Sequence, residues 1–202
     1  MPDYSLESQY TEQGYRHICG VDEAGRGPLA GPVYAAAVIL PNGLIIDGLN
    51  DSKKLSEKKR GLLFDIIIKE AVDYSIAFST VEEIETYNIL GATFLAMKRA
   101  VNGLKKDVDF ALIDGNRMPP ELPLPAQTVI KGDSLSCSIA AASVLAKVSR
   151  DRLLAEYDAK FPEYGFAKHK GYGTKEHYQA ILEHGVLPIH RLSFLKNLDE
   201  HK

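Results

Sequence analysis

The apolar positions of this chain fall into two periods. Residues 16–22 (RHICGVD) and 33–40 (VYAAAVIL) are short continuous apolar runs, which predict buried strands joined by a loop rich in Gly and Pro. Residues 72–79 (VDYSIAFS), 109–114 (DFALID) and 127–130 (QTVI) predict three more strands. Between them the period shifts toward that of a helix. Ser56 is placed to cap a helix over 57–71 with Leu62, Leu63, Ile66 and Ile67 on its inner face. Thr80 followed by Glu83 has the spacing of a capping box for a short helix. A helix near 90–102 aligns Leu90, Phe94, Met97 and Val101 on one stripe. The segment 118–125 holds four prolines and cannot be regular. A long helix is predicted from Ser136 to Lys160, and another over 175–184 between a Thr174 cap and a Gly185 stop. The tail from Leu187 reads as helix or loop. Strands followed by alternating strands and helices predict an α/β fold, a mixed sheet with helices on both faces.

Composition narrows this picture. The 202 residues are 45% hydrophobic and 25% charged, ordinary for one globular domain whose core needs no staples. No stretch is long and apolar enough to span a bilayer. Residues 1–13 are polar and acidic, unlike a secretory signal, and Cys19 and Cys137 are too few for a disulfide framework, so cytoplasmic residence is expected. No repeat, low-complexity tract or oligomer seam is visible, and a monomer is expected. The net charge of −3 by itself argues mildly against a nucleic-acid binder, but carboxylates that bind cations would account for part of it. Basic residues do cluster locally: Lys53 with Lys54; Lys168, His169, Lys170 and Lys175; Lys147, Arg150 and Arg152. Any one cluster, taken alone, looks like solvated surface charge.

The acidic residues carry more information. Asp22 and Glu23 end one apolar strand, Asp114 ends another, and Asp133 precedes the long helix. A carboxylate at a buried strand end is costly unless it is paired or coordinates a metal, and neither strand carries Lys or Arg near its acidic end. Were the two strands parallel neighbours, roughly 5 Å apart, Asp22 and Asp114 would face one crevice at the carboxyl ends of the sheet. Crowded carboxylates repel unless hard divalent cations neutralise them, and oxygen-only donors suit Mg²⁺ or Mn²⁺ better than Zn²⁺. An isolated Asp at a strand end is more often a turn residue, and Asp133 could simply cap the long helix. The loop after the first strand, with Gly25, Arg26, Gly27 and Gly31, has the composition of a phosphate cradle or of a tight hairpin turn. It lacks the Gly-Lys-Ser/Thr ending of a P-loop and the third glycine of a dinucleotide fingerprint.

The string DEAGRGPLAGPV at 22–33 closely resembles the opening motif of the ribonuclease HII family. DSKKLS (51–56), IDGN (113–116), KGDSLSCSIAAASVLAKVSRD (131–151), HKGYGT (169–174) and HGVLPIHRLSF (184–194) match in the same order. The resemblance implies a ribonuclease-H-like fold over 1–202, one type 2 catalytic domain with a C-terminal helical extension from about residue 160. It implies an endonuclease that cuts RNA–DNA hybrids and DNA duplexes containing single ribonucleotides. The family's acidic metal-site residues fall on Asp22, Glu23, Asp114 and Asp133. Its 2′-hydroxyl-reading loop falls on Gly25, Arg26 and Gly27, its junction tyrosine on Tyr172, and a phosphate contact on Lys53.

On that reading two cations, Mn²⁺ or Mg²⁺, clamp the scissile phosphate about 4 Å apart. Asp22 is expected to bridge them, with Glu23 and Asp114 on one and Asp133 on the other. Arg26 is expected to meet a phosphate, Tyr172 to offer its ring to a sugar, and the basic residues after Asp133 to bind phosphate backbones. His169 and His190 are expected to be phosphate-contacting or structural rather than catalytic. Ribonuclease HIII, which shares the four acids, is the nearest rival; its additional N-terminal domain finds no room before residue 22. A non-catalytic binding module would be expected to have lost an acid, and a nucleotide-metabolism enzyme would be expected to carry a nucleotide-binding motif.

Overall fold

The computed structural model describes residues 1–196 and Leu198. Five strands, β1 (Ile18–Ala24), β2 (Val33–Ile39), β3 (Asp73–Ser79), β4 (Phe110–Asp114) and β5 (Ala126–Val129), form one sheet in the order β3–β2–β1–β4–β5. The first three pair antiparallel, whereas β1–β4 and β4–β5 are parallel. The sheet is therefore mixed, as the alternation of elements predicts. Val21 stands opposite Ile113, so the residues that follow, Asp22 and Asp114, reach the same end of the sheet. The first strand starts later than the apolar run suggests and continues through Glu23 to Ala24.

The helices are α1 (Ser5–Glu12), α2 (Glu57–Glu70), α3 (Val81–Asn102), α4 (Cys137–Lys160), α5 (Phe166–His169) and α6 (Lys175–His184). α3 covers one sheet face, where Ala92, Ala96, Met97 and Val101 pack on Cys19, Val21, Ala35 and Ile113. α4 covers the other, with Ala140, Val144 and Val148 against Ala36 and Val38 and with α2 beyond it. Gly20 is what lets α4 lie so close: a Cβ there would overlap the Ser138–Ile139 backbone. The alternation of side chains along β1 then directs Asp22 to the α4 side and Glu23 to the α3 side.

Local chemistry explains where these helices begin. Ser136 Oγ accepts from the Ile139 amide at 3.1 Å. The buried Glu7 carboxylate accepts from Ser136 Oγ at 2.6 Å and from the Ser138 amide at 2.9 Å, placing an anion at the N-terminus of α4. α1, which the apolar pattern does not reveal, carries that carboxylate. The capping box is present: Thr80 Oγ1 accepts from the Glu83 amide, and Glu83 Oε2 from the Thr80 amide. The two helices predicted after Thr80 run together as α3 but are broken at Asn88, whose φ is 57°. Its Oδ1 caps the second half through the amides of Leu90 and Gly91.

The inner face of α2 differs from the expected one. Leu63, Phe64 and Ile67 are buried, each side chain worth about 1.5–3 kcal/mol, while Leu62 and Ile66 are 58% and 43% exposed. The helix is rotated so that Phe64 enters the α4 contact, where Arg152 lies over its ring. The part of the expected helix or loop at 197 and 199–202 lies outside the described residues; over the described residues 187–196 the tail is loop with a 3₁₀ turn at Leu192–Phe194. It closes a small core of Leu29, Leu154, Tyr164, Phe166 and Ile181. Among the described residues no helix is long and apolar enough to cross a membrane.

Candidate active site

Three of the four acids meet at the carboxyl end of the sheet. Asp22, Asp114 and Asp133 each offer a carboxylate oxygen, all within 4.8 Å of one another. Asp22 is 3% exposed and arrives on β1; Asp114 arrives on β4. Asp133 lies in the 3₁₀ turn Gly132–Ser134 that precedes α4. The turn is tied to β4 because Asp114 Oδ1 accepts from the amides of Gly132 and Asp133. Glu23 stands apart from the trio, paired with Arg26 at 3.2 Å. With Asp114 it lines a cavity of about 110 Å³ walled by Leu90, Phe94, Met97 and Gly115–Arg117. Asp114 thus lies between two acidic compartments, one shared with Asp22 and Asp133, the other with Glu23.

The electrostatics are those of an anionic cluster short of positive charge. Burial, then repulsion from Glu23 and Asp114, holds the Asp22 carboxyl well above the usual carboxylate range. Burial and Glu23 raise Asp114; burial, Asp114 and Asp51 raise Asp133. Among the described residues the one cation within ion-pairing distance of the trio is Lys53, whose Nζ is 3.9 Å from Asp133. Burial pulls the Lys53 ammonium down, but Asp22, Asp133, Asp51 and Asp114 together raise it. Hard carboxylate oxygens, crowded and mutually destabilised, are a donor set that fits divalent cations such as Mg²⁺ or Mn²⁺. Asp51, which sequence reasoning did not single out, is a further carboxylate beside Asp133. It also fixes Lys53 by accepting from its amide at 2.9 Å.

The glycine loop leaves β1 directly beyond these acids. Gly25 has φ 98°, and a Cβ there would strike the Arg150 guanidinium. Gly27 is open, and a Cβ there would come 3.5 Å from the Tyr172 ring. The loop and the tyrosine singled out in the sequence are therefore neighbours, and the Tyr172 side is solvent-accessible.

Two buried arginines hold this arrangement. Arg191 donates to the carbonyls of Gly25, Arg26 and Gly31. Arg150 donates to those of Ala30, Pro32 and Lys170. Burial and the proximity of Arg150 lower Arg191 to about 9. Arg150 is 1% exposed and so is not the phosphate-binding surface residue its sequence cluster suggests; its donors are spent on main-chain carbonyls. Of its companions, Lys147 is paired with Asp151 at 2.7 Å and Arg152 is exposed. Lys170 is mostly covered and paired with Glu57, whereas Lys168 and Lys175 face solvent. His169 and His190 are buried within hydrogen bonds, the structural half of the expectation. Arg191 and His177 escaped sequence reasoning because a polar residue in a loop or on a helix gives no local sign of burial.

The family model for ribonuclease HII matches residues 19–197. A ribonuclease HII of Caldicellulosiruptor saccharolyticus is 55% identical over 195 residues, covering 96% of this chain and 95% of that protein. The crystal structure of ribonuclease H2 from Pyrococcus horikoshii superposes with a TM-score of 0.70 at 25% identity, covering 92% of this chain and 98% of that one. A Bst ribonuclease HIII crystallised with Mn²⁺ shares the fold, with a TM-score of 0.72 at 16% identity over 92% of this chain and 68% of the other. With a family match over nearly its whole length and an acidic site at the expected strand ends, the chain belongs to the ribonuclease HII family of metal-dependent ribonucleases.

Proposed function

We propose that this chain hydrolyses the RNA strand of RNA–DNA hybrids and nicks duplex DNA on the 5′ side of a single embedded ribonucleotide, leaving 5′-phosphate and 3′-hydroxyl ends. The observation that carries the second activity is the apposition of Gly27, on the loop that follows Asp22 and Glu23 in the chain, and the Tyr172 ring. One 2′-hydroxyl is all that marks a ribonucleotide within DNA. A backbone loop without side chains at positions 25 and 27 can bring amides and carbonyls to that hydroxyl, and a flat ring across from it supports the neighbouring sugar.

Asp22, Asp114 and Asp133, with Glu23 across Asp114, would hold two divalent cations, Mg²⁺ or Mn²⁺. When bound, these supply a Lewis-acidic clamp that lowers the pKa of an attacking water and stabilises the departing 3′-oxygen. Asp22, the acid carried by the central strand and almost fully buried, would be one of their ligands. Gly132 and Asp133 amides fix the Asp114 carboxylate, leaving its second oxygen for a ligand. Lys53 balances charge at Asp133 and lies 76% exposed, where a phosphate can meet it. Arg26, 52% exposed, can exchange Glu23 for a phosphate. The reading treats 1–202 as one catalytic domain that acts as a monomer in the cytoplasm; a site assembled from residues 22 to 191 of a single chain supports the first of these.

The test is incubation of the purified protein with a DNA duplex carrying one ribonucleotide, with and without Mg²⁺ or Mn²⁺, and mapping of the cut. A metal-dependent nick 5′ of the ribonucleotide is the expected product. Cleavage of continuous hybrids alone would refute the junction activity.

A further inference from the structure

Three histidines lie buried behind Tyr172, and nothing in the proposed chemistry uses them. His169, His177 and His190 are 7%, 0% and 2% exposed. Their hydrogen bonds run in one direction. The Leu187 amide donates to His190 Nδ1 at 2.8 Å, so neutral His190 carries its proton on Nε2. That N–H faces His177 Nε2 at 3.1 Å, which must then accept. His177 is left with its proton on Nδ1, donated to the Tyr172 carbonyl at 2.9 Å. His169 stacks on His177 at 4.3 Å, and its carbonyl accepts from the Tyr172 amide at 2.9 Å. Its own ring is satisfied by the Tyr164 carbonyl and the Gly171 amide.

We infer that His177 and His190, as a neutral hydrogen-bonded pair, are positioning residues that set the Tyr172 main chain and hence the distance of its ring from Gly27. This rests on the reading of Tyr172 as the support for the sugar beside a ribonucleotide. The Tyr172 peptide is gripped on both sides, by His169 through its amide and by His177 through its carbonyl. The preceding Gly171 carbonyl accepts from Leu29 at 2.8 Å, which ties the glycine loop to the same segment. The pair works only without an added proton. A second proton would set N–H against N–H, on His177 against His190 and on His190 against the Leu187 amide. The surroundings favour the neutral form, since burial lowers both imidazoles to about 4. The titratable or charged groups facing them are His169, Tyr164 and Tyr172, with Arg191 following His190 and Glu82 and Glu85 across the groove that His190 lines. None of these is a carboxylate hydrogen-bonded to either ring among the described residues.

The experiment compares kcat/KM on a duplex with one ribonucleotide and on a continuous hybrid, in Mg²⁺, for the full chain. His177→Leu is expected to lower the ratio of the two about tenfold, the size of one lost neutral hydrogen bond. His177→Asn, which retains a donor at the Nδ1 position, is expected to restore the ratio to within about twofold of the starting protein. A purely structural role predicts equal losses on both substrates and no rescue. An unchanged ratio in a folded His177→Leu protein overturns the inference. ¹⁵N spectra of the histidine-labelled wild-type chain give a test that no substitution can spoil: His177 must be the Nδ1–H tautomer and His190 the Nε2–H tautomer, and the reverse assignment overturns the pair. Tyr172→Ala separates the two levels. Loss of junction cleavage there with an unaffected His177→Leu sinks the positioning role alone; no loss in either sinks the Tyr172 reading itself.

Discussion

Asp114 Oδ1 accepts from the Gly132 amide at 2.7 Å, joining the end of β4 to the turn that presents Asp133. An acid on a strand and an acid before a helix are thereby held in fixed relation, with Asp22 on the adjacent strand completing the trio. Asparagine at position 114 keeps an oxygen to accept that bond but removes a charge. Asp114→Asn and Asp22→Asn should therefore fold normally, cut hybrids more than about a hundredfold slower, and bind substrate as well as or better than the parent. Steady-state cleavage with a separate binding titration checks both halves. Full activity in either variant rejects the metal assignment.

The same crowding gives a stability signature. The carboxyls of Asp22, Asp114 and Asp133 are all raised in the folded protein. Their contribution to stability is complete below the ordinary carboxylate range and is lost as pH rises through the raised values. Near neutral pH the metal-free protein carries that repulsion, and cations relieve it. Melting in EDTA against Mg²⁺ or Mn²⁺ should show a Tm higher by about 5–10 °C with metal, consistent with about 2–3 kcal/mol at a hundredfold excess over Kd. Asp22→Asn should raise the Tm in EDTA and shrink the metal-dependent gain. A metal-insensitive Tm in the parent would contradict the site.

Two glycines of one loop should respond in opposite ways. Gly25→Ala places a side chain at φ 98° and into Arg150, so it should cost about 2–4 kcal/mol of stability. Gly27→Ala meets only ordinary contact with Tyr172, so the protein should keep its Tm. It should instead lose cleavage at single ribonucleotides more than on continuous hybrids, because the methyl intrudes where the sugar is proposed to be read. Denaturation curves and the two substrates distinguish the cases; equal Tm values for both variants would show the loop to be slack.

Phosphate binding should be legible in salt. Affinity for a hybrid is expected to fall steeply with ionic strength, and Lys53→Ala should reduce the slope of log K against log salt by about one phosphate's worth, roughly 0.7–0.9. A flat dependence in the parent, or an unchanged slope in the variant, removes Lys53 from the interface.

The strand ends and their acids were legible because an anion finishing an apolar run contradicts the cost of burial, and because the surrounding motifs are specific. Caps were legible too, since Ser56, Thr80 and Thr174 act on amides only a few residues away, whereas the long helix is capped by Ser136 rather than by Asp133. Long-range relations were not. Arg150 reads as surface charge in a run with Lys147 and Arg152, yet its partners lie about the glycine loop, 118 and 120 residues earlier. The face of α2 was misjudged because 62, 63, 66 and 67 and 63, 64 and 67 are both acceptable stripes; contact with α4 decides between them. Asp51 became visible as part of the acidic surroundings only once its loop was folded over Asp133.

Arg191 braces a loop that begins 166 residues before it. During synthesis the acids at 22, 23, 114 and 133 all leave the ribosome ahead of that brace. A nascent chain halted short of it would hold every proposed metal ligand and still lack the donors that fix the carbonyls of Gly25, Arg26 and Gly31. The loop proposed to read the sugar is thus braced only after all four proposed cation ligands have been made.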